Sequence, residues 1–239
     1  MLKEAIEYII NQAKKTEFYE KNNEQFSNVS LTKLREPVRD GLEVKSLTGL
    51  VDFLKNNFDG DDKLIVQVLD ETQVIVETQL NNNKARETVI IARAGVPEKT
   101  LNSHMDLERF NVQLQSQFVS NEDRAKILSI IGNLRSENVK NVGDDGVTQS
   151  VEVRKGVTMA NQEVVPNPVF LKPFRTFTEI SQPESPFVFR LKEVHGEVNG
   201  ALYEADGGAW KNEARLSIKQ YLEEELAEKI QNDEILIIA

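Results

Sequence analysis

Cysteine is missing from the chain altogether. Its absence rules out a disulfide framework, a thiolate nucleophile and any cysteine-ligated zinc or iron–sulfur centre. It says nothing about redox compartment. Histidine is nearly as scarce, with two in 239 residues, which disfavours a transition-metal site. No run approaches the roughly eighteen consecutive apolar residues of a membrane helix. The opening MLKEAIEYIINQAKK has neither the unbroken apolar core nor the small-residue cleavage site of a signal peptide. No membrane partner is therefore expected, and residence is expected to be cytoplasmic. Basic residues are also in deficit, at 29 Lys and Arg against 39 Asp and Glu. The resulting formal charge of −10 sets a repulsive mean field against phosphates and disfavours a nucleic-acid partner.

What is present is a globular composition, 39% hydrophobic, with strong local periodicity. Leu2, Ala5, Ile6, Ile9, Ile10 and Ala13 recur at helical spacing. The polar stretch 16–41 follows, read as loop with a short strand or as an arm reaching a neighbouring subunit. Ser46 is a suitable N-cap for a helix carrying Leu47, Leu50, Val51, Leu54 and Phe58, with Gly60 as its stop. KLIVQVLD, QVIVETQL and ETVIIARA, separated by tight polar turns, predict a three-stranded antiparallel meander. Leu107, Phe110, Leu114 and Phe118 mark one further helix, and Ile127, Leu128, Ile131 and Leu134 another. Ser120 with Asp123 resembles a capping box for the second of these. The two helices most simply cover the meander, and Asn141 to Gly146 is a turn-rich break.

The last third alternates cleanly in VTQSVEVRKGV and supplies further strands in PNPVFLKPFRTFTEI, QPESPFVFRLKEV and ALYEA. Five of the seven prolines lie between Pro166 and Pro186, where they mark strand edges and starts. A helix over about 212–231 and a closing strand EILIIA complete the pattern. The fold class expected is α+β: an antiparallel meander covered by helices, then a β-rich region and a C-terminal helix. The corresponding units are 1–41, 42–142 and 147–239.

The run PVFLKPFRTFTEISQPESPFVFRL, followed by YEADGGAWKNEARLSIKQYLEEEL, resembles the phage and prophage YfdQ-like family of uncharacterised proteins. GLEVKSLTGLVDFLKNNF and QSVEVRKGV share that likeness, which spans roughly Gly41 to the C-terminus. The resemblance implies a phage or prophage gene, hence host cytoplasm, and a protein with no catalytic residues to carry over.

Catalytic motifs are scarce. GxGxxG, GxxxxGK[ST] and GxSxG do not occur. His104 and His195 are the natural general-base candidates, but nothing in their spacing pairs them with a nucleophile. Asp59, Asp61 and Asp62, and Asp144 with Asp145, are loop acids beside glycine that can serve either as oxygen ligands or as solvated turns. Gly207 and Gly208 suit a positive-φ turn before a helix, and Trp210 suits an anchor against the sheet. No catalytic, cofactor-binding or metal-binding residue is assigned and no cofactor is expected.

The remaining functional signal is aromatic. Phe170, Phe174, Phe177, Phe187 and Phe189 place five of eleven phenylalanines within twenty residues, with Arg175 and Arg190 among them. Aromatic residues and arginine favour interface centres. The expectation is a non-enzymatic structural or interaction protein of a phage or prophage that self-assembles into a homo-oligomer through these residues. A β-sandwich core within one chain explains the same residues. The alternatives are an accessory protein binding single-stranded DNA in phage recombination or replication, a divalent-metal enzyme using the loop carboxylates, and an inhibitor of a host defence protein. A host or phage protein is thus a further possible partner.

Overall fold

The computed structural model describes residues 2–13, 16–21, 24–28, 30, 40–60, 63–82, 84–136, 138–144, 149–155, 158–195 and 197–239. The chain divides into two units, Met1–Val38 and Arg39–Ala239. In the first, helix α1 (Leu2–Ala13) precedes an antiparallel hairpin of β1 (Phe18–Lys21) and β2 (Glu24–Ser27). Two short segments of the stretch 16–41, expected as loop with a short strand or as an arm, thus pair with each other, Phe18 opposite Ser27. The apolar stripe of α1 is real, but Leu2, Ile6, Ile9 and Ile10 lie exposed.

The second unit is α+β. It begins with β3 (Leu42–Val44) and α2 (Leu47–Asn56). Ser46 caps α2 as expected, its hydroxyl accepting from the Gly49 N–H at 3.1 Å. The stop falls earlier than Gly60: Asn57 takes the left-handed conformation, φ 44°, and its N–H donates to the Phe53 carbonyl. Asn tolerates that conformation better than other side chains. Phe58 is thereby carried off the helix and stays 88% exposed, contrary to its place in the predicted stripe.

The meander forms as predicted from β4 (Leu64–Asp70), β5 (Gln73–Thr78) and β6 (Thr88–Arg93). Next come β7 (Met105–Asp106), α3 (Leu107–Gln117) and α4 (Glu122–Ser136). Asn121, not Ser120, caps α4: its side-chain oxygen accepts from the Arg124 N–H at 2.9 Å. Strands β8 (Asn138–Asp144), β9 (Gln149–Lys155) and β10 (Thr158–Val165) form a three-stranded antiparallel sheet. Residues 141–144, expected in a break, therefore belong to a strand.

Strands β11 (Val169–Leu171), β12 (Ser185–Val194) and β13 (Glu197–Glu204) join β7 in a four-stranded sheet ordered β11-β12-β13-β7. Helices α5 (Ala209–Glu225) and α6 (Ala227–Gln231) split the predicted C-terminal helix at Leu226, and β14 (Ile235–Ile238) ends the order. It runs parallel to β4, completing a five-stranded sheet β14-β4-β5-β6-β3. The segments 42–142 and 147–239 are therefore interleaved, since the meander takes its outermost strand from the end of the chain.

Two cores result. Beneath one face of the five-stranded sheet, Leu47, Leu50 and Leu54 of α2 meet Ile218 and Leu222 of α5 over Val66, Val74, Val76, Ile90 and Ile237. In the second core, Phe110 and Leu114 of α3, and Ile127 and Ile131 of α4, pack on Phe187, Phe189 and Leu202. The helix pair α3–α4 thus covers the later sheet and not the meander as expected. An apolar stripe fits either sheet, and the meander's buried face is already taken by α2 and α5.

Candidate functional site

The loop 172–184, between β11 and β12, holds Phe174 and Phe177 with Pro173 and Pro183, part of the aromatic and proline run that stands out in the sequence. Arg175 is its centre, only 5% exposed. Its guanidinium donates to Ser185 Oγ at 2.6 Å, the Pro183 carbonyl at 3.2 Å and Glu204 Oε1 at 3.1 Å. It also lies 3.8 Å from the centre of the Trp210 ring. Burial pushes its pKa down to about 10, against the opposing attraction of Glu204 and Asp206. Gln182 braces the same loop, its side-chain oxygen accepting from the Arg175 N–H and its amide donating to the Phe177 carbonyl. Thr176 donates to the Glu71 carbonyl at 2.5 Å, tying the loop to the β4–β5 turn. Such a linked set of buried polar groups fixes one arrangement, because each lost partner leaves another buried group unsatisfied.

The seven candidate interface residues do not form one surface. Phe187 and Phe189 are fully buried beneath α3 and α4, Phe189 stacked on Phe110 with ring centres 5.5 Å apart. Phe177 lies in the other core. These three and Arg175 are covered by their own chain and offer nothing to a second copy. Phe174 and Arg190 are half-buried, and Phe170 is exposed. The intrachain-core explanation of the phenylalanines is the one the burial supports. Gly207 and Gly208 take the expected positive φ, 62° and 85°, and Trp210 is buried at the start of α5 as an anchor.

The two histidines, 91 positions apart, line one open groove of about 1070 Å³ with Lys99, Asp106, Arg109 and Glu197. His104 Nδ1 lies 3.4 Å from the Tyr203 hydroxyl. Burial, then the nearby Lys192 cation, hold its pKa below the ordinary imidazole value. Lys99 donates to the Phe174 and Pro97 carbonyls, and burial followed by Arg175 lowers its pKa as well. Sequence spacing gave no hint of this convergence. The groove gathers polar groups but aims no base at a nucleophile: His104 turns its Nδ1 to a tyrosine. Among the described residues, no group of three or more His, Asp or Glu is placed to hold a metal ion. The loop acids Asp61, Asp62 and Asp145 lie outside the described residues.

A different surface combines apolar character with exposure. Helices α2 and α5 pack on one face of the five-stranded sheet. Residues of the other face alternate with the buried ones: Ile65 and Leu69 on β4, Ile75 on β5, Ile91 on β6, Leu236 and Ile238 on β14. They are neighbours across strands, Leu236 beside Ile65 and Ile75 beside Ile91. Leu236 is 57% and Ile238 41% exposed, while Ile65, Ile75 and Ile91 are half-exposed. Gln67 of β4 interrupts this face between Ile238 and Ile75, and Arg93, which donates to Gln73 and pairs with Glu43, stands at its margin. EILIIA carries the sequence signal of this face: a strand apolar on both sides needs cover on both.

No family model matches the chain, and neither a curated protein nor a solved structure matches it. No described helix is long and apolar enough to cross a membrane.

Proposed function

We propose that this protein is a non-enzymatic interaction protein that assembles with copies of itself, in keeping with the phage or prophage gene its sequence resemblance implies. The observation that carries this reading is the apolar outer face of the five-stranded sheet. Six aliphatic side chains on one face of four strands, interrupted by Gln67, exceed the scattered apolar residues normal on a surface. The exposed stripe of α1 is a second apolar surface of the same kind. Assembly through Phe187 and Phe189 is replaced by assembly through the sheet that carries this face, with Leu236 and Ile238 as the most exposed of its aliphatic residues. The single-stranded-DNA alternative is less favoured, because stacking needs exposed aromatic faces and Phe177, Phe187 and Phe189 are buried.

Light scattering on the purified chain tests the proposal. The expected result is a mass above that of one 27.1 kDa chain, rising with concentration. A single-chain mass at about 300 µM, well above a micromolar dissociation constant, overturns it.

A further inference from the structure

We infer that the self-association runs through the outer edge of β14, which pairs with no other described strand, and that this edge pairs antiparallel with β14 of a second copy to make one continuous ten-stranded sheet. The inference rests on the homo-oligomer reading and names its contact. Edge strands expose unpaired backbone groups, and proteins ordinarily protect them with charge, proline, bulges or cover. Two other edges in this unit are protected. At β11 the Phe170 N–H donates to Asp123 Oδ2 at 2.9 Å and its carbonyl accepts from Asn121 Nδ2 at 2.7 Å. On β3, Glu43 pairs with Lys45 and with Arg93. β14 reads Ile-Leu-Ile-Ile, with no charge, proline or glycine.

Backbone direction fixes the available groups. The Leu64 N–H donates to the Glu234 carbonyl, so Glu234, Leu236 and Ile238 turn their backbone groups toward β4. By alternation, Ile235 and Ile237 turn their N–H and C=O to the open edge. A twofold axis along the sheet normal keeps faces matched only when a residue opposes its own copy. Centred on Leu236, that register places each Ile235 opposite the partner strand's position 237, where the pairs exchange about four backbone hydrogen bonds. Helices then stay on one side of the joined sheet, and the apolar outer faces merge across the axis. So short an edge buries less than the roughly 1,200 Å² of a standard interface, the size class of weak and transient contacts.

Sedimentation velocity from about 1 to 300 µM reads this directly. Leu236→Lys and Ile238→Lys change exposed side chains, so circular dichroism should match the wild type while the dissociation constant rises at least about tenfold. Leu69→Lys and Ile75→Lys, on the same face but away from the edge, should leave it within about threefold. Amide exchange at Ile235 and Ile237 should slow as concentration rises. If Leu69→Lys or Ile75→Lys dissociates the assembly as strongly as Leu236→Lys, or those two amides do not respond, edge pairing is wrong and self-association stands by another contact. A wild type that stays monomeric throughout removes both readings.

Discussion

Asp123 shows how one side chain joins two elements. It sits in the first turn of α4, accepts the Phe170 N–H and pairs with Lys126 at 3.0 Å. The Phe170 N–H, and after it Lys126, hold its carboxyl below the usual carboxylate range against the opposing effect of burial. A depressed folded-state pKa stabilises above the unfolded value, near 3.9, and that contribution is lost as pH falls through the folded value. Asp123→Asn should therefore cost about 1 kcal/mol at pH 7, with the gap to wild type closing below about pH 4. Urea midpoints across pH measure this, and a gap that ignores pH would refute the charge-based account. Arg175 works at the same scale with larger consequences. Lysine at that position keeps a cation but loses the planar fork and the stack on Trp210. Arg175→Lys should cost about 2–4 kcal/mol in denaturant unfolding, since Ser185 and Glu204 lose a buried partner. A loss under about 0.5 kcal/mol would show that the loop does not depend on the guanidinium.

Elements were legible where their signals are local. The Ser46 cap, the alternation of β4 and β5, and the positive-φ pair Gly207-Gly208 all depend on residues within a few positions of each other. Boundaries failed where two local candidates competed: Asn57 over Gly60, Asn121 over Ser120. Gly200 illustrates a requirement invisible at this range. A Cβ built there would lie 3.0 Å from the Phe110 ring, itself stacked on Phe189. Gly200→Ala should push that stack apart and cost about 1–3 kcal/mol, read as a lowered melting temperature with altered aromatic circular dichroism. An unchanged near-ultraviolet spectrum would mean that the helix moves freely away from the sheet. Nothing near Gly200 in sequence announces Phe110; the contact exists only because α3 crosses β13.

For the molecule as a whole, the two cores make different demands from the outer face. Phe189 is fully buried, so Phe189→Asp sets an unpaired carboxylate among Phe110, Leu114 and Leu202. It should abolish cooperative unfolding or lower stability by more than about 4 kcal/mol. A folded variant that merely dissociates would restore the phenylalanines to an interface role. The candidate surface was harder to foresee than the core. Five phenylalanines in twenty residues are conspicuous, yet burial claims three of them. The apolar outer face is assembled from β4, β5, β6 and β14, and β14 lies about 170 residues beyond β4 in the chain. Both histidines were visible as isolated residues, but their shared groove was not.

The sequence by itself determined the α+β class, the meander, the face of α3, that of α2 apart from Phe58, and the turn at Gly207-Gly208, because backbone geometry and caps act over a few residues. Only the tertiary structure decided that α3 and α4 cover the later sheet, that β14 closes the meander, and that the outer edge of β14 pairs with no other described strand. The physical reason is that burial is nondirectional: an apolar stripe gains similar free energy on either sheet. The choice between partners therefore rests on packing summed over the whole chain, which no local pattern encodes.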